Sequence, residues 1–283
     1  IRKRNIAAVV GMGGYVSAPA LAAARMTGTP YFLCEQNSVP GKVTLKFEKR
    51  CEYVFSTFAE AKSYMKFPGK FIHTGNPIRN NVLVPVSRTE AKKSFHLGHC
   101  ARIILVIGGS QGAVRLNELI MSLKKKYPHE FKNIGIIWST GSLSFDEYKT
   151  RSQNELEAGS IYISPYIKRV GRAYSACDIA ISRSGAGVMM ELAAAGVPSI
   201  LIPYPFAAMD HQAKNADSFA GAGAAIKIDD SDAVPEKVAP LLFNLLAHPR
   251  RLKEMSENAR RAARTDAADV IVKQIKETLG KRG

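Results

Sequence analysis

Short apolar runs recur along the chain, each closing in a turn of small or polar residues that leads into a stretch with helical spacing. Residues 6–10, 31–34, 53–56, 71–73, 103–107, 134–138, 161–163, 178–182, 199–202 and 224–228 read as strands. Most are continuous rather than alternating, the pattern of strands covered on both faces. Helices are expected over 18–26, 42–49, 112–126, 168–176, 185–195 and 211–221. Strand, turn and helix repeated in this way predict a doubly wound α/β architecture. Beyond 228 the strand signal stops, and 235–247, 249–263 and 267–279 read as helices.

A break is expected in the stretch NVLVPVS, residues 81–87, after which a helix and a fresh series of strands begin. The expected organisation is a first Rossmann-like domain over 1–81, a second over 82–262 and a C-terminal helix over 263–283. The first has only four strands. The chain opens at Ile1 almost directly on an apolar strand, so the expectation is a fold entered partway, with the first domain incomplete at its N-terminus.

Composition narrows the partners. The 283 residues carry 40 Lys and Arg against 24 Asp and Glu, a formal charge of +16. That excess predicts an anionic partner, either a phosphorylated substrate or an acidic membrane surface. The basic residues are scattered and no nucleic-acid motif accompanies them, so nucleic acid is not expected. Cys34, Cys51, Cys100 and Cys177 form no CxxC pair and read as free thiols rather than a disulfide frame or zinc site. No metal and no cofactor are expected. The uncharged run 192–209 approaches the length of a membrane span, but Pro198, Pro203 and Pro205 interrupt it, which predicts helix end, strand and loop.

Three small-residue turns follow predicted strands: Gly11-Met12-Gly13-Gly14-Tyr15, Gly108-Gly109-Ser110-Gln111-Gly112 and Ser184-Gly185-Ala186-Gly187. None is a strict GxGxxG and none carries a Walker lysine. The last two belong to the second strand series, at the C-terminal ends where open α/β sheets bind ligands. The helix after Ser184 carries a single charge, Glu191, among Met189, Met190, Leu192, Ala193, Ala194 and Ala195. A lone carboxylate among such neighbours calls for a polar partner, and a glycine turn entering a helix is an anion site. A nucleoside diphosphate attached to a further group fits both. In DHQAKNA, residues 210–216, Asp210 reads as an N-cap. Gln212 and Asn215, three apart, share a helical face that could meet a polyol.

Taken in order, GMGGYVSAPALAAA, EQNSVPG, GNPIR, GGSQGA, RSGA with Glu191, and DHQ with Asn215 resemble the MurG family. These glycosyltransferases add N-acetylglucosamine to the lipid-linked muramyl-pentapeptide of bacterial peptidoglycan. The resemblance implies a GT-B fold, two Rossmann-like domains with UDP-N-acetylglucosamine as donor and lipid I as acceptor, working at the cytoplasmic face of the plasma membrane as a peripheral protein. It places Ser110 on the diphosphate, Ile167 at the uracil, and the backbone of Ala186, Gly187 and Val188 on the phosphates. Glu191 falls on the ribose hydroxyls and Gln212 and Asn215 on the sugar. Asn37 and Arg79 approach the donor, and Tyr15 and Glu35 line the acceptor side. The implied chemistry is inverting transfer to the acceptor 4-hydroxyl, without a metal in principle and with no general base singled out.

Two departures stand out. The family opens with a GGTGGH turn whose histidine is a catalytic candidate, and much of its membrane-docking patch lies in the same part; this chain starts after that point. The expectation is a fragment that binds UDP-sugar and transfers little by itself. The family's usual His before EQN is here Cys34, read as a tolerated small residue at a strand end. Two alternatives stay open: another GT-B UDP-sugar enzyme, such as a glycolipid synthase or an epimerase, or a non-catalytic UDP-sugar-binding half that needs a partner chain.

Overall fold

The computed structural model describes residues 5–84, 86–109 and 112–281. The chain divides into two compact units. One comprises Ile1–Ile78, Ala207–Lys214 and Arg264–Gly283, the other Arg79–Phe206 and Asn215–Ala263.

The first unit holds a parallel sheet of β1 (Val9–Gly11), β2 (Tyr31–Glu35), β3 (Val54–Ser56) and β4 (Phe71–His73), in that spatial order. Val10 registers with Phe32, Leu33 with Val54 and Phe55 with Ile72. Successive side chains of β2 go to opposite faces, as the strand period requires. Tyr31 and Leu33 pack with Leu21, Val43, Phe47 and Val54. Phe32 and Cys34 pack on the other face with Phe55 and Ile271. Ile271 comes from the helix Ala267–Gly280. The tail expected to stand apart over 263–283 is therefore part of the first unit, because the second face of β2 and β3 would otherwise expose two phenylalanines. The expected first strand, 6–10, is also displaced, and β1 ends on Gly11.

The second unit holds β5 (Arg102–Ile107), β6 (Ile134–Ser139), β7 (Ile161–Ser164), β8 (Ile179–Ser182), β9 (Ser199–Leu201) and β10 (Ala225–Lys227). All are parallel, in the order β10-β9-β8-β5-β6-β7. This is the Rossmann order, with its switch point where β5 lies beside β8. Asp178 pins that junction: its carboxylate accepts from the Ile103 amide at 2.7 Å and pairs with Arg88 and Arg102. Buried Trp138 donates to Asn117 Oδ1 at 2.9 Å, and Asn117 Nδ2 donates to the Thr140 carbonyl at 3.0 Å, so the polar atoms inside the apolar core find partners.

The helix expected after 81–87 is Arg88–Lys93, while among the described residues three helices escaped the sequence pattern: Asn80–Leu83, Phe145–Arg151 and Gln153–Glu157. Each spans two turns or fewer, too short to show a helical period. The helix Val170–Ala176 lies directly on the backbone of Asn80–Leu83, and a Cβ on Gly171 would stand 1.8 Å from the Asn81 carbonyl oxygen. Gly171→Ala is thus expected to force the two helices apart and to cost about 1–3 kcal/mol of stability, read as a lower urea midpoint at unchanged slope. An unchanged midpoint would count against this close approach.

The units follow a different division from the consecutive 1–81, 82–262 and 263–283 expected from the sequence. The chain leaves the second unit at Phe206 and returns to it at Asn215, and its last segment joins the first.

Candidate functional site

The two glycine turns of the second unit stand at the C-terminal ends of β5 and β8, side by side at the switch point, where Ile107 registers with Ser182. Ser110 and Gln111, in the first of these turns, lie outside the described residues. Of the glycines around them, Gly109 has a positive φ of 89°, and Gly108 and Gly112 have packing reasons. A Cβ on Gly108 would meet the Ala113 amide at 2.5 Å, and one on Gly112 the Thr140 carbonyl at 2.1 Å. Gly185 and Gly187 differ. Neither has a positive φ, and an added Cβ at either meets nothing within 4 Å. Neither conformation nor packing demands a glycine there, so what they leave open is the space in front of the backbone.

That space faces a helix start. Helix Ala186–Ala195 has Gly185 as its N-cap with no side-chain capping bond, and its first turn carries no acidic residue. The amides of Ala186, Gly187 and Val188 belong to the first turn, whose N–H groups have no intrahelical acceptor. Together with the positive end of the helix dipole they make an anion site.

One turn further on, Glu191 is 7% exposed. Its carboxylate takes a two-pronged contact from Arg79, Nε to Oε1 at 2.5 Å and Nη2 to Oε2 at 2.6 Å. The Tyr174 hydroxyl donates to Oε2 at 3.0 Å. Arg79 Nη1 in turn donates to the Tyr166 hydroxyl at 2.9 Å. The partner that the apolar helix demands is therefore supplied inside the protein by Arg79 and Tyr174, where the sequence reading had assigned a ligand's hydroxyls. A carboxylate offers about four acceptor directions, and these contacts leave Oε1 with capacity for a further donor. The Glu191 hydrogen bond raises the Arg79 pKa further. Burial, then the Glu191 charge, push the Tyr174 hydroxyl well above its ordinary value, so it remains a donor.

Beside this cluster is a cavity of about 120 Å³ lined by Arg79, Ile107, Gly109, Ser139, Tyr166, Ile167, Val170, Tyr174 and Val188. A dry protein cavity of about 150 Å³ holds benzene, so this one is the size for a single six-membered ring. It brings together three residues singled out from the sequence, Arg79, Ile167 and Val188, with Glu191 joined to them through Arg79.

Asn215 has a different place from the one expected. It is fully buried, and its Nδ2 donates to the Ser184 carbonyl at 3.2 Å, so it holds the turn from beneath. Gln212 is half-buried in the first unit. Asp210, expected as an N-cap, has a left-handed φ of 54°, outside the extended backbone that a capping residue takes.

The first unit has its own cavity, about 430 Å³, whose lining includes Tyr15, Glu35, Asn37, Lys42, Thr44, Met209 and His211. Three expected residues meet here, but Glu35 is not free to act. It is 4% exposed, Oε1 accepts from the Asn37 amide at 3.0 Å, and Oε2 accepts from the Gly41 amide at 2.9 Å and Thr44 Oγ1 at 2.6 Å. Its carboxylate shapes the loop 36–41. Tyr15 is exposed. Cys34 is buried in the sheet, and burial pushes its thiol up to about 11, which keeps it a packing residue. Among the described residues no three His, Cys, Asp or Glu side chains converge on a metal geometry. No described helix is long and apolar enough to cross a membrane.

Sequence reasoning missed Tyr166 and Tyr174, and it gave Arg183, inside RSGA, no role. Tyr174 sits in a helix that reads as core, and only its hydroxyl's direction marks it.

Residues 103–271 match the glycosyltransferase family 28 C-terminal domain and residues 1–56 its N-terminal domain. The chain is 37% identical over 275 residues to a Chlorobium limicola protein named UDP-N-acetylglucosamine–N-acetylmuramyl-(pentapeptide) pyrophosphoryl-undecaprenol N-acetylglucosamine transferase. That alignment covers 97% of this chain and 73% of the relative. The crystal structure of Acinetobacter baumannii MurG superposes with a TM-score of 0.74 at 30% identity, covering 98% of this chain and 75% of the other. A Listeria monocytogenes structure described as a UDP-N-acetylglucosamine 2-epimerase superposes at 0.72 with 16% identity, over 99% of this chain and 77% of its own. At that identity the likeness speaks for the fold alone.

Proposed function

This chain belongs to the MurG family of family 28 glycosyltransferases, and from that membership we propose that it transfers N-acetylglucosamine from UDP-N-acetylglucosamine to the 4-hydroxyl of lipid I, giving lipid II with inversion at the anomeric carbon. The observation that carries the donor half is the bare start of helix Ala186–Ala195, with open space at Gly185 and Gly187 and Glu191 one turn away.

In this reading the diphosphate lies on the amides of Ala186, Gly187 and Val188. The ribose diol donates to Glu191, and the uracil ring enters the cavity walled by Ile167. Attack by the acceptor oxygen forms its bond to the anomeric carbon and breaks that carbon's bond to the phosphate oxygen, the electron pair leaves with UDP, and the hydroxyl proton passes to a base or to solvent. Amides already aimed at the diphosphate stabilise the charge that develops there, without reorganisation at the moment of transfer. In the first unit, Tyr15 lines the larger cavity on the acceptor side, and Glu35 holds in shape the loop that carries Asn37, the residue that approaches the donor. The formal charge of +16 supports peripheral association with anionic lipid on the cytoplasmic face. Sedimentation with anionic vesicles should weaken as salt rises; salt-independent binding to neutral vesicles would exclude charge as its cause.

The decisive assay follows radiolabelled sugar from UDP-N-acetylglucosamine into a lipid I analogue. The expected product is the β-linked disaccharide lipid with one UDP released per transfer. Conversion of the donor to its 2-epimer without acceptor, or transfer to diacylglycerol in place of lipid I, would overturn this assignment.

A further inference from the structure

We propose that Arg183, held by Asp230, is the positioning residue that fixes the diphosphate-binding turn, a role that rests on reading Ser184–Val188 as that site. Arg183 links β8 to the turn, yet its side chain points elsewhere. Nη1 donates to the Ile202 carbonyl at 3.1 Å and the Pro203 carbonyl at 2.9 Å, where the chain leaves β9. It also pairs with Asp230 Oδ1 at 2.5 Å, in the 3-10 turn that follows β10. One guanidinium thus ties together the exits of three adjacent strands, β8, β9 and β10. The pair is largely out of water, with side chains 11% and 22% exposed, and the guanidinium lies over the Tyr204 ring at 5.6 Å. Asp230 is braced in turn by Arg115, which donates to the carbonyls of Asp230 and Ser231 at 3.3 and 3.4 Å.

The turn needs such a restraint. An added Cβ at Gly185 or Gly187 would meet nothing within 4 Å, and the N-cap Gly185 has no side chain to cap the helix, so packing at these two positions does not fix the direction of the turn. Amides placed by a glycine turn bind a diphosphate well only when something else fixes their direction. Asn215 fastens the Ser184 carbonyl, and Arg183 fastens the entry to the turn. Because Asp230 neutralises the guanidinium, Arg183 acts through position more than through charge.

The test compares Asp230→Asn and Arg183→Lys with the unaltered chain, using calorimetric affinities for UDP and for uridine. Arg183→Lys keeps the charge but replaces the planar guanidinium, whose Nη1 reaches both carbonyls and Asp230, by a shorter ammonium of different geometry. A positioning role predicts that both substitutions weaken UDP binding about tenfold, the scale of one hydrogen bond to a charged group, while uridine binding stays within twofold. Tighter UDP binding by Asp230→Asn would show that the uncompensated charge matters and would overturn the proposal, as would equal losses for UDP and uridine. Amide hydrogen exchange in the ligand-free protein gives a second readout. Exchange over residues 184–188 should speed up in both variants while β5 stays protected; unchanged exchange there overturns the clamp whatever the ligand data show. Failure of the unaltered chain to bind UDP, with the exchange effect present, would instead sink the donor-site reading and leave the clamp standing as architecture.

Discussion

Replacing Glu191 by Ala is expected to weaken UDP-N-acetylglucosamine binding about a hundredfold, because a site built to bond hydroxyls loses its acceptor and strands its other polar groups. The carboxylate is the acceptor proposed for the ribose diol, and it is also what orients Arg79 and Tyr174. Tyr174 is 3% exposed, so its hydroxyl would be left buried without an acceptor. Arg79 has a side chain 43% exposed and would recover water. The stability cost is therefore closer to about 1–2 kcal/mol than to the 3–5 of a fully buried pair. Affinity measured by calorimetry and stability by urea unfolding separate the two effects. Glu191→Gln, which keeps an acceptor oxygen, should fall between the unaltered chain and Glu191→Ala. A donor affinity within threefold of the original in Glu191→Ala would remove Glu191 from the site.

The second large effect runs in opposite directions for folding and for binding. Gly187→Ala places a methyl group where nothing lies within 4 Å, at a helical position without positive φ. Alanine restricts the unfolded chain and favours the helix, so the free protein should gain up to about 1 kcal/mol of stability. The same methyl stands in front of the amides proposed to hold the diphosphate and should reduce UDP affinity by tenfold or more, by roughly the worth of one or two charge-assisted hydrogen bonds. A structural glycine would behave in the reverse way, losing stability and with it binding. Undiminished UDP affinity in a stabilised Gly187→Ala would mean that the diphosphate does not approach this turn.

The central strands were legible because they are buried on both faces, and burial on both faces writes itself as continuous runs such as Arg102–Ile107 and Ile134–Ser139. The turn at Ser184 was legible because glycines and a lone carboxylate are unusual in an apolar stretch. What Glu191 bonds to was not. Arg79 is 112 residues away, and no local pattern records a partner at that distance. Asn215 shows the same limit. Its spacing from Gln212 suggested a shared polar face, whereas its side chain is buried beneath Ser184, and the two residues fall in different units. Arg183 stands in the RSGA motif with no role that the sequence assigns, and only the carbonyls of Ile202 and Pro203 and the Asp230 carboxylate show where its side chain goes.

By itself the sequence determined the alternation of strand and helix, the positions of the glycine turns, and, through the order of its short motifs, the glycosyltransferase family. Local propensity and periodicity act over a few residues, and motifs are local by nature. The tertiary structure decided which glycines are there for packing and which leave room for a ligand, since that depends on neighbours from other strands. It also decided that the last helix belongs with the first sheet, because burying Phe32 and Phe55 draws on an apolar surface that the distant Ile271 and Ile275 bring.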